Sequence, residues 1–186
     1  MMTTDDETLV ARALAGDRQA FAALVERYQK PVFNAALRIL RDPEDARDVA
    51  QTAFLKAYSR LADFNPSFKF FSWLYRIAVN EAINQGQRRP SFEPVDDAIE
   101  DTASGPEQLF AESRTAAALE RALHTLSFEQ RAVITLRYQL DCSHEDMSVV
   151  LDIPVKTVKS RLFEARKQLR ARMVEAGETN FFVTRG

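Results

Sequence analysis

The stretch from Leu126 to Arg172, LSFEQRAVITLRYQLDCSHEDMSVVLDIPVKTVKSRLFEARKQLRAR, leaves little choice of fold. Ser127 with Gln130, and Ser143 with Asp146, each set a side-chain acceptor at a helix start with a polar partner three residues on. That is the sequence form of a capping box. Pro154 opens a third helix, where its missing N–H costs nothing because that donor has no intrahelical partner. Met147, Val150 and Leu151 on one helix, and Val155, Val158, Leu162 and Leu169 on the next, recur at three- and four-residue spacing and can bury one face of each. The pattern predicts a helix-turn-helix.

The face left over is basic. Between Pro154 and Arg172 stand seven cations against one anion, Glu164. A helix that reads a DNA groove aims the side chains of its first turns at base edges, while flanking cations neutralise phosphates. Thr157, Ser160, Arg161 and Glu164 lie near one stripe and are the base-facing candidates. Lys156, Lys159, Arg166 and Lys167 suit contacts to the DNA backbone. A basic helix alone can also be mere solvated surface, but two capped helices stacked before this one favour duplex DNA as partner.

Charge divides the chain into blocks. Residues 1–90 carry 13 cations and 11 anions, residues 91–113 carry no cation and 7 anions, and residues 114–186 carry 12 cations and 9 anions. The middle strip, SFEPVDDAIEDTASGPEQLFAES, holds two prolines and a glycine, and its first half reads as a linker, with Pro106 and Glu107 starting a helix. Fully extended it would reach about 75–80 Å. The expected organisation is all-α: a helical bundle over 1–90, an acidic linker over 91–113, a helix-turn-helix module over 114–176 and a tail over 177–186 carrying Phe181 and Phe182.

The first block is helical by period. Phe21, Leu24, Val25, Tyr28, Val32, Ala36 and Ile39 form one stripe, which Pro31 is expected to kink or split. Asp42 and Pro43 cap a helix whose apolar side is mostly alanine, and whose other side, with Asp45, Asp48, Gln51 and Thr52, offers a polar face to a protein. Six aromatics then fall within twelve residues, Phe64, Phe68, Phe70, Phe71, Trp73 and Tyr75. Phe70, Trp73, Leu74 and Ile77 share a helical face and are expected in the core. Arg76, Asn80, Asn84 and Arg88 follow at four-residue intervals, and asparagine in a helix interior needs a reason beyond helix formation. Cations and polar amides beside aromatic surfaces suit single-stranded nucleic acid, whose bases stack on rings for about 1–3 kcal/mol each.

Other classes fit less well. The acidic start lacks an apolar leader core, and no apolar run approaches the ~20 residues of a membrane span, so a cytoplasmic chain is expected. Cys142 is the single cysteine and suits a reducing compartment. A metal site on Cys142, His144, Glu145 and Asp146 would lack a second cysteine, and His124 is the one other histidine. A helix-turn-helix regulator working as a dimer would use the second block but leave the aromatic stretch and the acidic strip idle.

RYQKPVFNAALRIL, DARDVAQTAFLKAY, FSWLYRIAVN and PVKTVKSRLFEAR, in this order between Leu9 and Arg172, resemble the extracytoplasmic-function class of bacterial sigma factors of RNA polymerase. The resemblance implies a non-enzymatic subunit with no catalytic residue, metal or cofactor. Its partners would be core polymerase, through the β′ clamp and β subunits, promoter DNA both duplex and single-stranded, and an anti-sigma protein. Asp45, Asp48, Gln51 and Thr52 would sit on the clamp-gripping helix, although Thr52 stands where an acidic residue is common. Asn65, Ser67, Phe68, Lys69 and Phe71 would belong to the loop that captures an extruded base, with Arg76, Asn80, Asn84 and Arg88 along the strand. The acidic strip would thread toward the polymerase cleft as a nucleic-acid mimic. Other departures are Gly86, expected to end its helix early, Ser127, Ser148, Lys156 and Glu164, which could accept from a cytosine amino group.

Overall fold

The structure, a computed structural model, describes residues 5–88 and 106–178. The linker residues 91–105 and the end of the tail, with Phe181 and Phe182, lie outside the described residues. Every regular element among them is helical. In chain order they are α1 (Asp6–Leu14), α2 (Arg18–Leu40), α3 (Pro43–Ser59), a 3-10 turn (Leu61–Asp63), α4 (Phe70–Arg88), α5 (Pro106–His124), α6 (Phe128–Tyr138), α7 (His144–Leu151) and α8 (Val155–Glu175).

Local chemistry sets these boundaries. Asp5, Asp17 and Asp42 each accept from backbone N–H groups of the helix they precede, Asp5 from Thr8 at 2.7 Å and Asp17 from Gln19 at 2.9 Å. Such a cap satisfies an otherwise orphaned donor and is worth about 1 kcal/mol. Both expected capping boxes form, Ser127 with Gln130 and Ser143 with Asp146. Arg41 and Asp152 close α2 and α7 in the left-handed conformation, at φ 65° and 55°. Pro154 precedes α8 as its cap, and its carbonyl accepts from Thr157 and Val158.

Helix α2 runs unbroken through Pro31, so the chain is not split there. Proline removes one backbone hydrogen bond. The buried stripe Leu24, Val32, Ala36 and Ile39, on both sides of it, holds the two halves to one surface. Tyr28, which donates to Asp6, and Arg27, which pairs with the same carboxylate, fasten α1 to α2. Helices α2, α3 and α4 pack closely through small residues, with Ala46, Ala53, Ala57, Ala78 and Ala82 all buried.

The two blocks are not held apart. Helices α2 and α4 pack on α6 and α7, and one continuous apolar core runs through both. Gly86 lies against Phe128, so close that a Cβ there would stand within 2.6 Å of three ring carbons. Helix α4 continues past it to Arg88, so the glycine does not end the helix as expected. Its absent side chain instead admits the neighbouring ring. Around this contact Arg41 pairs with Glu120, Arg76 with Asp152 at 2.8 Å, and Gln87 donates to Glu129. Helix α5 starts at Pro106, where Pro106 and Glu107 are expected to begin a helix within the acidic strip.

Candidate functional site

Three surfaces bring candidate residues together. The first is on α3, where Asp48 and Gln51 are exposed and Thr52 half-buried. Asp45 departs from the expected polar face. It is buried at 7% exposure, and its carboxylate accepts from the Gln85 amide of α4 at 3.4 Å. Its position in the first turn after Asp42 turns it inward, onto α4, and it cannot meet a partner directly. Beside Gln51 the sequence reading missed a groove of about 1260 Å³ between α2 and α3. Phe21, Val25, Phe33, Phe54, Leu55 and Tyr58 wall it, and Arg18, Lys30 and Arg47 stand among the lining residues. Leu55 at 65% exposure and Tyr58 at 50% carry the apolar wall of the groove out to solvent.

The second surface is the loop before α4. Phe64 and Phe70 are buried and meet edge to face, 5.8 Å between ring centres. Between these anchors every residue from Asn65 to Lys69 is exposed. The Asn65 side chain accepts from the Ser67 N–H at 2.9 Å, so the loop is turned by its own hydrogen bond. Phe68 stands 51% exposed at its tip, while Phe71 is half-buried against Tyr75. Trp73 and Ile77, expected in the core, are also half-buried; Phe70 and Leu74 are fully inside. Along α4, Asn80 is half-buried and Asn84 and Arg88 are exposed, whereas Arg76 is engaged by Asp152 of the other block.

The third surface belongs to α8. Val158, Leu162, Ala165, Leu169 and Met173 are buried, which turns the opposite face outward. Val155, expected among them, is half-exposed. Thr157, Ser160, Arg161 and Glu164 line one cleft of about 450 Å³, joined there by Ser127, Glu129 and Gln130 from the start of α6. Burial alone would raise the Glu129 carboxyl. Hydrogen bonds from its own backbone, Ser127 and Gln87, and the Arg161 charge outweigh this and hold it below the usual range. Lys156, Lys159 and Lys167 are exposed cations flanking the cleft. Arg166 stacks over the Tyr138 ring and donates to its hydroxyl at 2.6 Å, which directs it away from the cleft.

Two of the residues weighed as metal ligands, Asp146 and Cys142, serve the fold. Asp146 accepts from both Ser143 groups of its capping box, and Cys142 is 1% exposed. Burial first, then Asp146 and Asp141, push the Cys142 thiol up to about 11. A raised thiol pKa means the neutral, unreactive form at neutral pH. Iodoacetamide at pH 7.5 is therefore expected to leave the folded chain unlabelled by mass spectrometry over a period that labels the denatured chain completely. No helix among the described residues is long and apolar enough to cross a membrane.

Comparison with known proteins finds two family models and several relatives. The family models Sigma-70 region 2 and Sigma-70, region 4 match residues 24–92 and 116–169. The RNA polymerase sigma-H factor of Pseudomonas aeruginosa is 37% identical over 91% of this chain and 94% of its own length. The ECF RNA polymerase sigma-E factor of Escherichia coli is 39% identical over 88% of this chain and 92% of its own. Among solved structures, CnrH in complex with the cytosolic domain of CnrY superposes with a TM-score of 0.68 at 28% identity, covering 91% of this chain and 97% of CnrH. RpoE of Bartonella quintana, solved with the anti-sigma factor NepR, has the same fold at a TM-score of 0.67 and 24% identity, over 83% and 96% of the two chains.

Proposed function

From its place among the extracytoplasmic-function sigma factors, the family to which this chain belongs, we propose how its three surfaces divide the work of transcription initiation. The chain is an alternative sigma subunit that binds core RNA polymerase, directs it to promoters and helps open the DNA. It makes and breaks no covalent bond. The observation that carries this is the pair of regions, matched in order across both blocks, and it disfavours a free-standing helix-turn-helix regulator, which needs no region 2.

In this reading residues 1–90 grip polymerase and melt DNA, 91–113 are the acidic strap and 114–176 dock the upstream duplex element. Asp48, Gln51 and Thr52, with the adjacent apolar groove, meet the β′ clamp, and Asp45 positions their helix by tying α3 to α4. Asn65, Ser67, Phe68, Lys69 and Phe71 receive an extruded base, whose unstacking costs a few kcal/mol that stacking and hydrogen bonds must offset. Arg76, Asn80, Asn84 and Arg88 follow the strand beside it. On α8 the cleft residues read base edges, and Lys156, Lys159 and Lys167 hold phosphates. RpoE of Bartonella quintana was solved with the anti-sigma factor NepR bound, and an anti-sigma protein covering these faces is the corresponding partner here. The place of action is the cytoplasm, where polymerase and DNA are.

Run-off transcription by core enzyme on genomic fragments, with and without the chain, tests the function: new start sites are expected when it is added. Asp48→Arg tests the clamp surface. Reversing one exposed charge in an interface puts like charges face to face, and binding to core polymerase in a pull-down is expected to fall roughly tenfold or more with the fold unchanged.

A further inference from the structure

Gln130 comes from a different helix than the residues expected to read the duplex, yet it opens onto the same cleft as Thr157, Ser160, Arg161 and Glu164. The capping box fixes how it is held. Its Oε1 accepts from the Ser127 N–H at 2.9 Å, while its own N–H donates to the Ser127 hydroxyl at 3.2 Å. A glutamine amide carries two N–H donors besides that oxygen. Since Oε1 is turned back to the cap, Nε2 is the end left over, and it has no hydrogen-bond partner among the described residues. A side chain pinned at one end and free at the other is pre-organised, so little rotamer freedom is lost when it binds.

We propose that Gln130 is a second duplex-reading residue, donating through Nε2 to a hydrogen-bond acceptor on the promoter element docked against α8. The inference rests on the assignment of α8 to duplex DNA. The acceptor is a base edge, such as purine N7 or guanine O6, or a phosphate oxygen. The charge of the cleft favours the base edge, because Glu129 and Glu164 outnumber Arg161 there and repel a phosphate. It follows that the start of α6 does two things with one side chain: the oxygen caps the helix and the nitrogen reads DNA.

The test is a conservative exchange in the holoenzyme. Gln130→Glu keeps an acceptor for the Ser127 N–H, since glutamate is an equally common capping-box partner, but removes both donors. Gln130→Met removes the donors without adding charge. Each variant is assembled with core polymerase and transcribes from a library randomised through the upstream element, with Arg161→Ala alongside. Both Gln130 variants are expected to lose about tenfold at the parental promoter and to relax preference at one base pair, with the thermal unfolding of Gln130→Glu unchanged. Loss spread evenly over all sequences assigns the acceptor to a phosphate and still supports the donor role. Parental selectivity in both variants, while Arg161→Ala loses it, overturns the inference and leaves α8 as the reader. If Arg161→Ala is also silent, the assignment of α8 falls with it.

Discussion

Gly86→Leu is expected to drive the two blocks of the free chain apart. Nothing larger than hydrogen fits at this position, because even a Cβ would meet three carbons of the Phe128 ring within 2.6 Å, far inside the ~3.5–4 Å of ordinary carbon contacts. The ring has little room to yield. It packs against the core and lies under the Arg131 guanidinium, 4.6 Å from its centre. Arg131 is itself buried, and desolvation first, then the like charge of Arg41, lower its pKa to about 10, still a cation at neutral pH. The exposed polar pair beside the contact does not hold it shut. Arg76 with Asp152 is substantially exposed on both sides, and exposed pairs of this kind are worth about 0–1 kcal/mol. Overpacking typically costs about 1–3 kcal/mol, comparable with what such an interface can spare. Small-angle scattering should show a larger radius of gyration, unfolding should separate into two transitions, and Arg76, freed from Asp152, should tighten binding of single-stranded oligonucleotide. Gly86→Ala is the milder control, since it adds one carbon against the ring where leucine adds four, and the helix gain of about 1 kcal/mol from alanine offsets part of that clash. An unchanged scattering profile for Gly86→Leu would show that the blocks close by another contact.

That contact marks the boundary of what the chain makes legible. Helix starts could be read because capping is local: Asp42 before Pro43, Ser127 with Gln130 and Ser143 with Asp146 each hold their partners within three residues. That Thr157, Ser160, Arg161 and Glu164 share one face of α8 was legible for a similar reason, as it follows from helical spacing once the buried face is known. Gly86 was not, because the same residue ends helices or admits close approach, and only Phe128, far off in sequence, decides between them. Asp45 was misplaced for a related reason. Period assigned it to the polar side of α3, but a first-turn residue beside a second helix can turn inward and find an amide, here that of Gln85. The α2–α3 groove was invisible because spacing shows which residues are apolar, not where two helices leave a gap. Leu55 and Tyr58, outside the apolar side of α3, are exposed in that gap.

Leu162→Ala and Arg161→Ala, neighbours on α8, are expected to fail in opposite ways. Leu162 is 2% exposed and lies on the face that packs against the rest of the second block. Removing its side-chain carbons leaves a cavity and costs about 2–5 kcal/mol, against a total stability on the order of 5–15 kcal/mol. The melting temperature should fall by roughly 5–15 °C. Below that temperature the folded fraction still presents Thr157, Ser160, Arg161 and Glu164, so promoter preference in a selection should stay parental even as yield drops. Arg161 is half-buried at the cleft with its charge toward Glu129, and its removal takes nothing from the core. Its melting temperature should stay within about 1–2 °C of the parent, since surface substitutions rarely exceed 0.5 kcal/mol. Promoter-directed transcription should fall by about one to two orders of magnitude, the scale of a lost base contact at about 1–3 kcal/mol. Calorimetry and run-off transcription on the same two samples separate support from recognition. Equal losses of stability in both variants would mean that Arg161 works inside the fold, and the cleft would need another reader.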